Sequence, residues 1–147
     1  MANHNIQLKI VTPERLVFEE TVDSLTVPTE NGEIGILPNH IPLISAITQG
    51  DIVAMKSNEP IPFAVVGGFV QVKPDEVVIL ADFSEYVSNL SEDDIAIAKD
   101  RAEKAMNDKE KLSHEEFEHF NTQLERALTS GRVRGKWKGK KYKKINF

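Results

Sequence analysis

The chain has 147 residues, 40% of them hydrophobic and 28% charged, with a formal net charge of -5 and no cysteine. This is the balance of an ordered globular protein; it excludes a disordered chain, a disulfide framework and a thiolate metal site, and no stretch nears the roughly 18 continuous apolar residues of a membrane-spanning helix. The charge is divided: residues 1–88 hold four Lys or Arg against twelve Asp or Glu, residues 89–131 hold six against eleven, and residues 132–147 hold eight against none, so the C-terminal end is a separate electrostatic object.

The opening, MANHNIQLKIVTPE, has no apolar leader, and with no cysteine present the expectation is a cytosolic protein. Ile6, Leu8 and Ile10 alternate with Gln7 and Lys9, the pattern of a half-buried strand. Similar β-rich runs are predicted at 16–18, 22–27, 41–47, 52–55, 63–66, 69–72 and 77–80. Turn signals separate them at Thr12-Pro13, Asn31-Gly32, Pro38-Asn39, Gly50-Asp51, the stretch 57–60, Gly67-Gly68 and Pro74-Asp75. Gly67-Gly68 reads as a tight turn or bulge ahead of a site of close backbone approach.

After Asp82 turn residues thin out and the apolar period moves from two towards 3.6. Ser91 is a good N-cap, with Glu92, Asp93 and Asp94 suited to the positive end of a helix. Ile95, Ala98, Ala102, Ala105 and Met106 recur on one face. Asn107 and Asp108 open a loop, Ser113 with Glu116 forms a capping box, and Phe117, Phe120, Leu124, Ala127 and Leu128 mark the second helix. Gly131 reads as its stop. Two helices this short are marginal alone and must pack on each other, on the β-domain or on a partner. The expected fold is an all-β sandwich over 1–85 followed by a two-helix antiparallel hairpin over 86–131, with 132–147 a basic, flexible tail.

No P-loop, nucleophile elbow, zincin helix or dinucleotide fingerprint is present, so no catalytic residue is assigned. His4, His40, His114 and His119 are scattered, and a spacing of five puts the last two on different helix faces, so no metal site is expected. The acids at 92–94 read as capping rather than catalysis. His40 lies in a loop made rigid by Pro38 and Pro42, where recognition competes evenly with turn geometry. Lys and Arg around Trp137 and Tyr142 offer an alternative function, a nucleic-acid-binding module, although glycines at 131, 135 and 139 and the density of like charge favour a solvated arm.

Segment 32–43, GEIGILPNHIPL, closely resembles a characteristic loop of the epsilon subunit of bacterial F-type ATP synthases. VTPE at 11–14, GGFVQV at 67–72 and VVILAD at 77–82 follow in the order and spacing of that family. The resemblance covers the β-domain fully and the hairpin loosely, to about residue 130. It implies a non-catalytic central-stalk subunit whose sandwich docks on the gamma subunit and on the membrane-embedded c-ring, with Glu33 and His40 facing the ring. It also implies a hairpin that can lie on the sandwich or reach the alpha and beta subunits of the catalytic head and inhibit ATP hydrolysis, a role that would fall to Arg126, Arg132 and Arg134. Many relatives carry an Ile/Leu-Asp-x-x-Arg-Ala nucleotide motif at the first helix. Here it is broken in either register, at Ile97 or at Ala98, so no cofactor is expected and ATP binding is weak at most. The resemblance places the protein at the cytoplasmic face of the bacterial cell membrane, held there indirectly. No nucleic-acid partner is expected on this reading.

An alanine-rich seam buries little area, so two poses of the hairpin can lie within a few kcal/mol of each other. A releasable hairpin is therefore expected on physical grounds as well.

Overall fold

The computed structural model describes residues 5–108 and 111–144. His4 and the last three residues of the basic segment lie outside them. Eight strands come first: β1 (Ile6–Val11), β2 (Leu16–Val22), β3 (Ser24–Thr29), β4 (Gly32–Ile36), β5 (Leu43–Ile47), β6 (Gly50–Lys56), β7 (Glu59–Val72) and β8 (Glu76–Tyr86). A 3-10 turn, Val87–Asn89, leads into α1 (Glu92–Met106) and α2 (His114–Trp137). This is the expected order, a β-sandwich and then two helices.

The strands run β2-β1-β8-β7-β5-β3-β4, with β6 bridging β3 and β7. Among them β1 and β8 pair in parallel, and the other pairings are antiparallel. In β1 the alternation anticipated from sequence is realised, since Ile6, Leu8 and Ile10 are buried and Gln7 is exposed. The register of β1 on β2 shifts after Ile10, which leaves Val17 unpaired and lets both Val17 and Phe18 enter the core. Phe18, Phe63 and Tyr86 meet there, with ring centroids 5.2 Å apart for Phe18 and Phe63 and 4.7 Å for Phe63 and Tyr86. The Tyr86 hydroxyl donates to the Val17 carbonyl at 2.9 Å.

Two expectations about glycine are corrected. Runs 63–66 and 69–72 are one strand, β7, which keeps a single register with β8 from Phe63↔Tyr86 to Val72↔Val77 and omits only the pairing at Gly67. Gly67 (φ 67°) and Gly68 (φ 121°) bend it without ending it. A Cβ on Gly68 would collide with the Leu80 carbonyl, so the close backbone approach, the less favoured reading of this pair, is what is found. Across the bend the side-chain alternation shifts: Phe63 and Val65 face the core before it, Val70 and Val72 after it. Ala64, just before the bend, packs under α2, whereas Phe69 beyond it is bare.

The second correction concerns α2. It does not stop at Gly131 but continues through Gly135 to Trp137. Each interior glycine costs about 1 kcal/mol. The added turns bury Val133 and Trp137 against Ala64 and Val87, and a well-buried large apolar side chain contributes about 1.5 to 3 kcal/mol. Burial exceeds the cost, so the helix runs on. Nor do residues 132–144 form a separate arm: beyond α2 the Lys143 amide donates to the Pro60 carbonyl at 2.8 Å.

Candidate functional site

Four side chains on neighbouring strands form an apolar row that is exposed at its centre and half-buried at its ends, Ala46 and Val11. Ala46 of β5 pairs with Phe69 of β7, Phe69 with Leu80 of β8, and Leu80 with Val11 of β1. Phe69 is 59% and Leu80 57% exposed, and Ile44, in the next row of β5, is 70% exposed. Thr12, Pro13 and Asp82 rim a shallow groove of about 350 Å³ beside Phe69 and Leu80. A row of this kind on a ladder with fixed hydrogen bonds is rigid, and contiguous apolar exposure marks a binding surface.

The loop at 37–42 adds Leu37 (66% exposed) and Ile41 (75%). It is shaped by Asn39, in the left-handed region (φ 65°), whose amide donates to the Pro74 carbonyl at 2.8 Å. His40 Nδ1 lies 2.7 Å from the Ile41 carbonyl oxygen, so the Nδ1–H tautomer donates there and Nε2 is left for solvent or a partner. Glu33 is exposed on β4, opposite Pro28 of β3. No hydrogen bond or ion pair joins Glu33 to His40, so any partner they share would have to span both.

The three arginines of α2 differ. The Arg126 guanidinium sits 5.3 Å from the Phe83 ring centroid and donates to the Asp82 carbonyl at 3.3 Å. Arg134 pairs with Glu92 at 2.6 Å and donates to the Leu90 carbonyl at 3.2 Å. Arg134 first and Lys138 second hold the Glu92 carboxyl below the usual carboxylate range. Arg132 is exposed and, among the described residues, forms no ion pair. Thus two of the three candidate contacts are occupied inside the chain.

A cleft of about 320 Å³ opens between the hairpin and β8, lined by Phe83, Asp94, Ala98, Arg101, Arg126 and Ala127. Ala98 faces it without a charge, and Ile97 is 56% exposed. Arg101, Arg126 and the carboxylate of Asp94 line the cleft, so the break falls at Ile97 in the register that starts from Asp94 and at Ala98 in the register that ends on Arg101. Ser91 and Ser113 accept from the Asp94 and Glu116 amides, at 3.3 and 3.1 Å, as N-caps. His119 contacts Gln123 at 3.1 Å, and among the described residues no three His, Cys, Asp or Glu gather as a metal site.

One constellation was missed from sequence. Asp51, only 8% exposed, accepts from Trp137 Nε1 at 2.9 Å and pairs with Lys136 Nζ at 3.0 Å, closing 85 residues of chain. The signals were present but read otherwise, Asp51 as half of a Gly-Asp turn and Trp137 as an aromatic in a basic arm.

Residues 5–87 match the profile described as "ATP synthase, Delta/Epsilon chain, beta-sandwich domain". Among curated proteins, an ATP synthase epsilon chain of Halalkalibacterium halodurans is 38% identical over 131 residues, which is 89% of this chain and 98% of that one. Another, from Alkalihalophilus pseudofirmus, is 44% identical over 102 residues, covering 69% of this chain and 77% of that one. Among solved structures, a chain of the Euglena gracilis mitochondrial ATP synthase, solved as OSCP, F1 and c-ring, superposes with a TM-score of 0.69 at 17% identity, covering 90% of this chain and 82% of that one. At that identity the likeness speaks for the fold.

Proposed function

The chain belongs to the ATP synthase epsilon-chain family, and from that premise we propose that it is a non-catalytic rotor subunit linking the c-ring to the catalytic head of a proton-translocating F-type synthase. The observation that carries this reading is the bare apolar patch of Phe69, Leu80 and Ile44, flanked on the same ladder by half-buried Ala46 and Val11. A surface rigid, apolar and shallow suits the side of another protein better than a small substrate, which needs a concave site with converging polar groups. The occupant we assign to it is the gamma subunit. The loop bearing His40, with Glu33 of β4, is assigned to the c-ring, so the protein is held at the cytoplasmic face of the bacterial membrane through its partners. Among the described residues no helix is long and apolar enough to cross a membrane.

The hairpin is assigned the restraint of ATP hydrolysis. As it lies here, Arg126 and Arg134 are engaged within the chain, so contact with alpha and beta subunits requires that α2 leave the sandwich. The nucleic-acid alternative loses its main support, because Trp137, the last residue of α2, is buried against Ala64 and Val87 with its N–H on Asp51 and offers no face for a base.

Mixing the purified chain with gamma tests the docking reading: a stable complex at micromolar concentration is expected, and its absence overturns it. A disulfide engineered between α2 and β7 tests the restraint. Inhibition of hydrolysis by the assembled enzyme should disappear when the disulfide is closed and return on reduction. Unchanged hydrolysis would remove this part of the reading and leave the docking part standing.

A further inference from the structure

We propose that the sandwich carries a built notch for the chain's own C-terminal segment, and that Trp137 seated on Asp51 is the fastener holding the helical hairpin against the sheet. α1 packs on α2, and it is α2 that reaches β6, β7 and the 3-10 turn. The ties along that contact are unequal. Arg126 and Arg134 donate to backbone carbonyls in partly exposed places, and the Arg134–Glu92 pair joins the two helices to each other and leaves the sheet untouched. Exposed pairs of that kind contribute little.

At the end of α2 the situation differs. Val133 and Trp137 fill an apolar recess with Ala64 and Val87, bordered by Val53, Phe83, Leu90 and Tyr142. The floor of the recess is Asp51, which takes a hydrogen bond from the indole and an ion pair from Lys136. Tyr142 meets the Trp137 ring edge-on at 6.0 Å, and Lys140 lies 5.4 Å from its centroid. A carboxylate at the base of an apolar recess is costly without donors, and an indole N–H inside one is costly without an acceptor. Each group removes the other's penalty only when the two meet, so the notch selects this segment over a merely apolar one. The inference deepens the reading of the hairpin as a releasable element: the fastener must open before the helices can leave.

Trp137 is the only tryptophan in the chain, so its fluorescence reports the notch directly. In the isolated full-length protein, wild-type emission should be blue-shifted and protected from acrylamide. Asp51→Ala should shift it red and quench it more readily, with amide exchange across α2 rising about ten- to hundred-fold, because a hydrogen bond and a charge-assisted contact are lost together. Asp51→Asn should fall between, since its amide oxygen still accepts from the indole while Lys136 loses its ion. Emission, quenching and α2 exchange in Asp51→Ala identical to wild type would overturn the proposal. Should Asp51→Ala lose protection in the sheet as well, Trp137→Ala replaces it, read by exchange alone. Faster exchange in α2 with β7 protected supports the fastener, and unchanged α2 exchange overturns it. None of these readouts involves the synthase. A loosened hairpin in an assembled enzyme whose hydrolysis does not change would therefore count against the restraint proposed above and leave the fastener intact.

Discussion

Gly67 and Gly68 sit side by side, yet different atoms oppose a side chain at each. At Gly67 a Cβ would meet the tip of the Asp82 side chain, which can turn away; at Gly68 it would meet the Leu80 carbonyl and the Ala81 Cα, which cannot. Gly68→Ala should therefore cost about 2 kcal/mol or more and Gly67→Ala about 1 to 2 kcal/mol, seen as a larger fall in urea midpoint for the former. A second residue-scale expectation concerns Tyr86, whose phenol is pushed up to about 12, first by burial and then by the Glu20 charge. Its folded value lies above the unfolded value of about 10, so the contribution to stability is complete below pH 10 and is lost as pH rises towards 12. Denaturation curves across that window should fall more steeply for the wild type than for Tyr86→Phe. The glycine pair was legible as a break in the alternation. That the break is a bend within one strand depends on Leu80 and Asp82, which periodicity does not bring together.

Among the elements, α2 departs most from its sequence pattern. Local rules stop a helix at a glycine followed by another four residues on, and those rules weigh only the backbone. What carries α2 past Gly131 is tertiary: Val133 and Trp137 fall on the side facing β7, a coincidence visible only once β7 is in place. Since Gly135 is helical with open space where a Cβ would stand, Gly135→Ala should stabilise the end of α2 by about 0.5 to 1 kcal/mol, measured as slower amide exchange over its last two turns. By contrast the capping serines and the strand alternation of β1 were readable outright, because each rests on neighbours within four residues. β4 was missed because two of its five residues are glycine, and its strand character comes from pairing with β3.

Across the whole molecule, the bend in β7 divides the outer surface of the sandwich into a part roofed by α2 and a part left open. The two should act independently. Phe69→Glu should weaken gamma binding by at least tenfold while leaving Trp137 emission unchanged, as titration and fluorescence on one sample would show. The motifs at 32–43 and 67–72 marked the segments that bound the open part but not the exposure of Phe69 and Leu80, and the roofed part depends on partners 85 residues apart that no local pattern joins. Glu92 stands at the first turn of α1 and grips Arg134 near the far end of α2. The covalent loop joins the two helices at one extremity and α1 packs on α2 as far as this pair at the other, and so they should swing about Val87–Asn89 as a single paddle instead of peeling apart helix by helix.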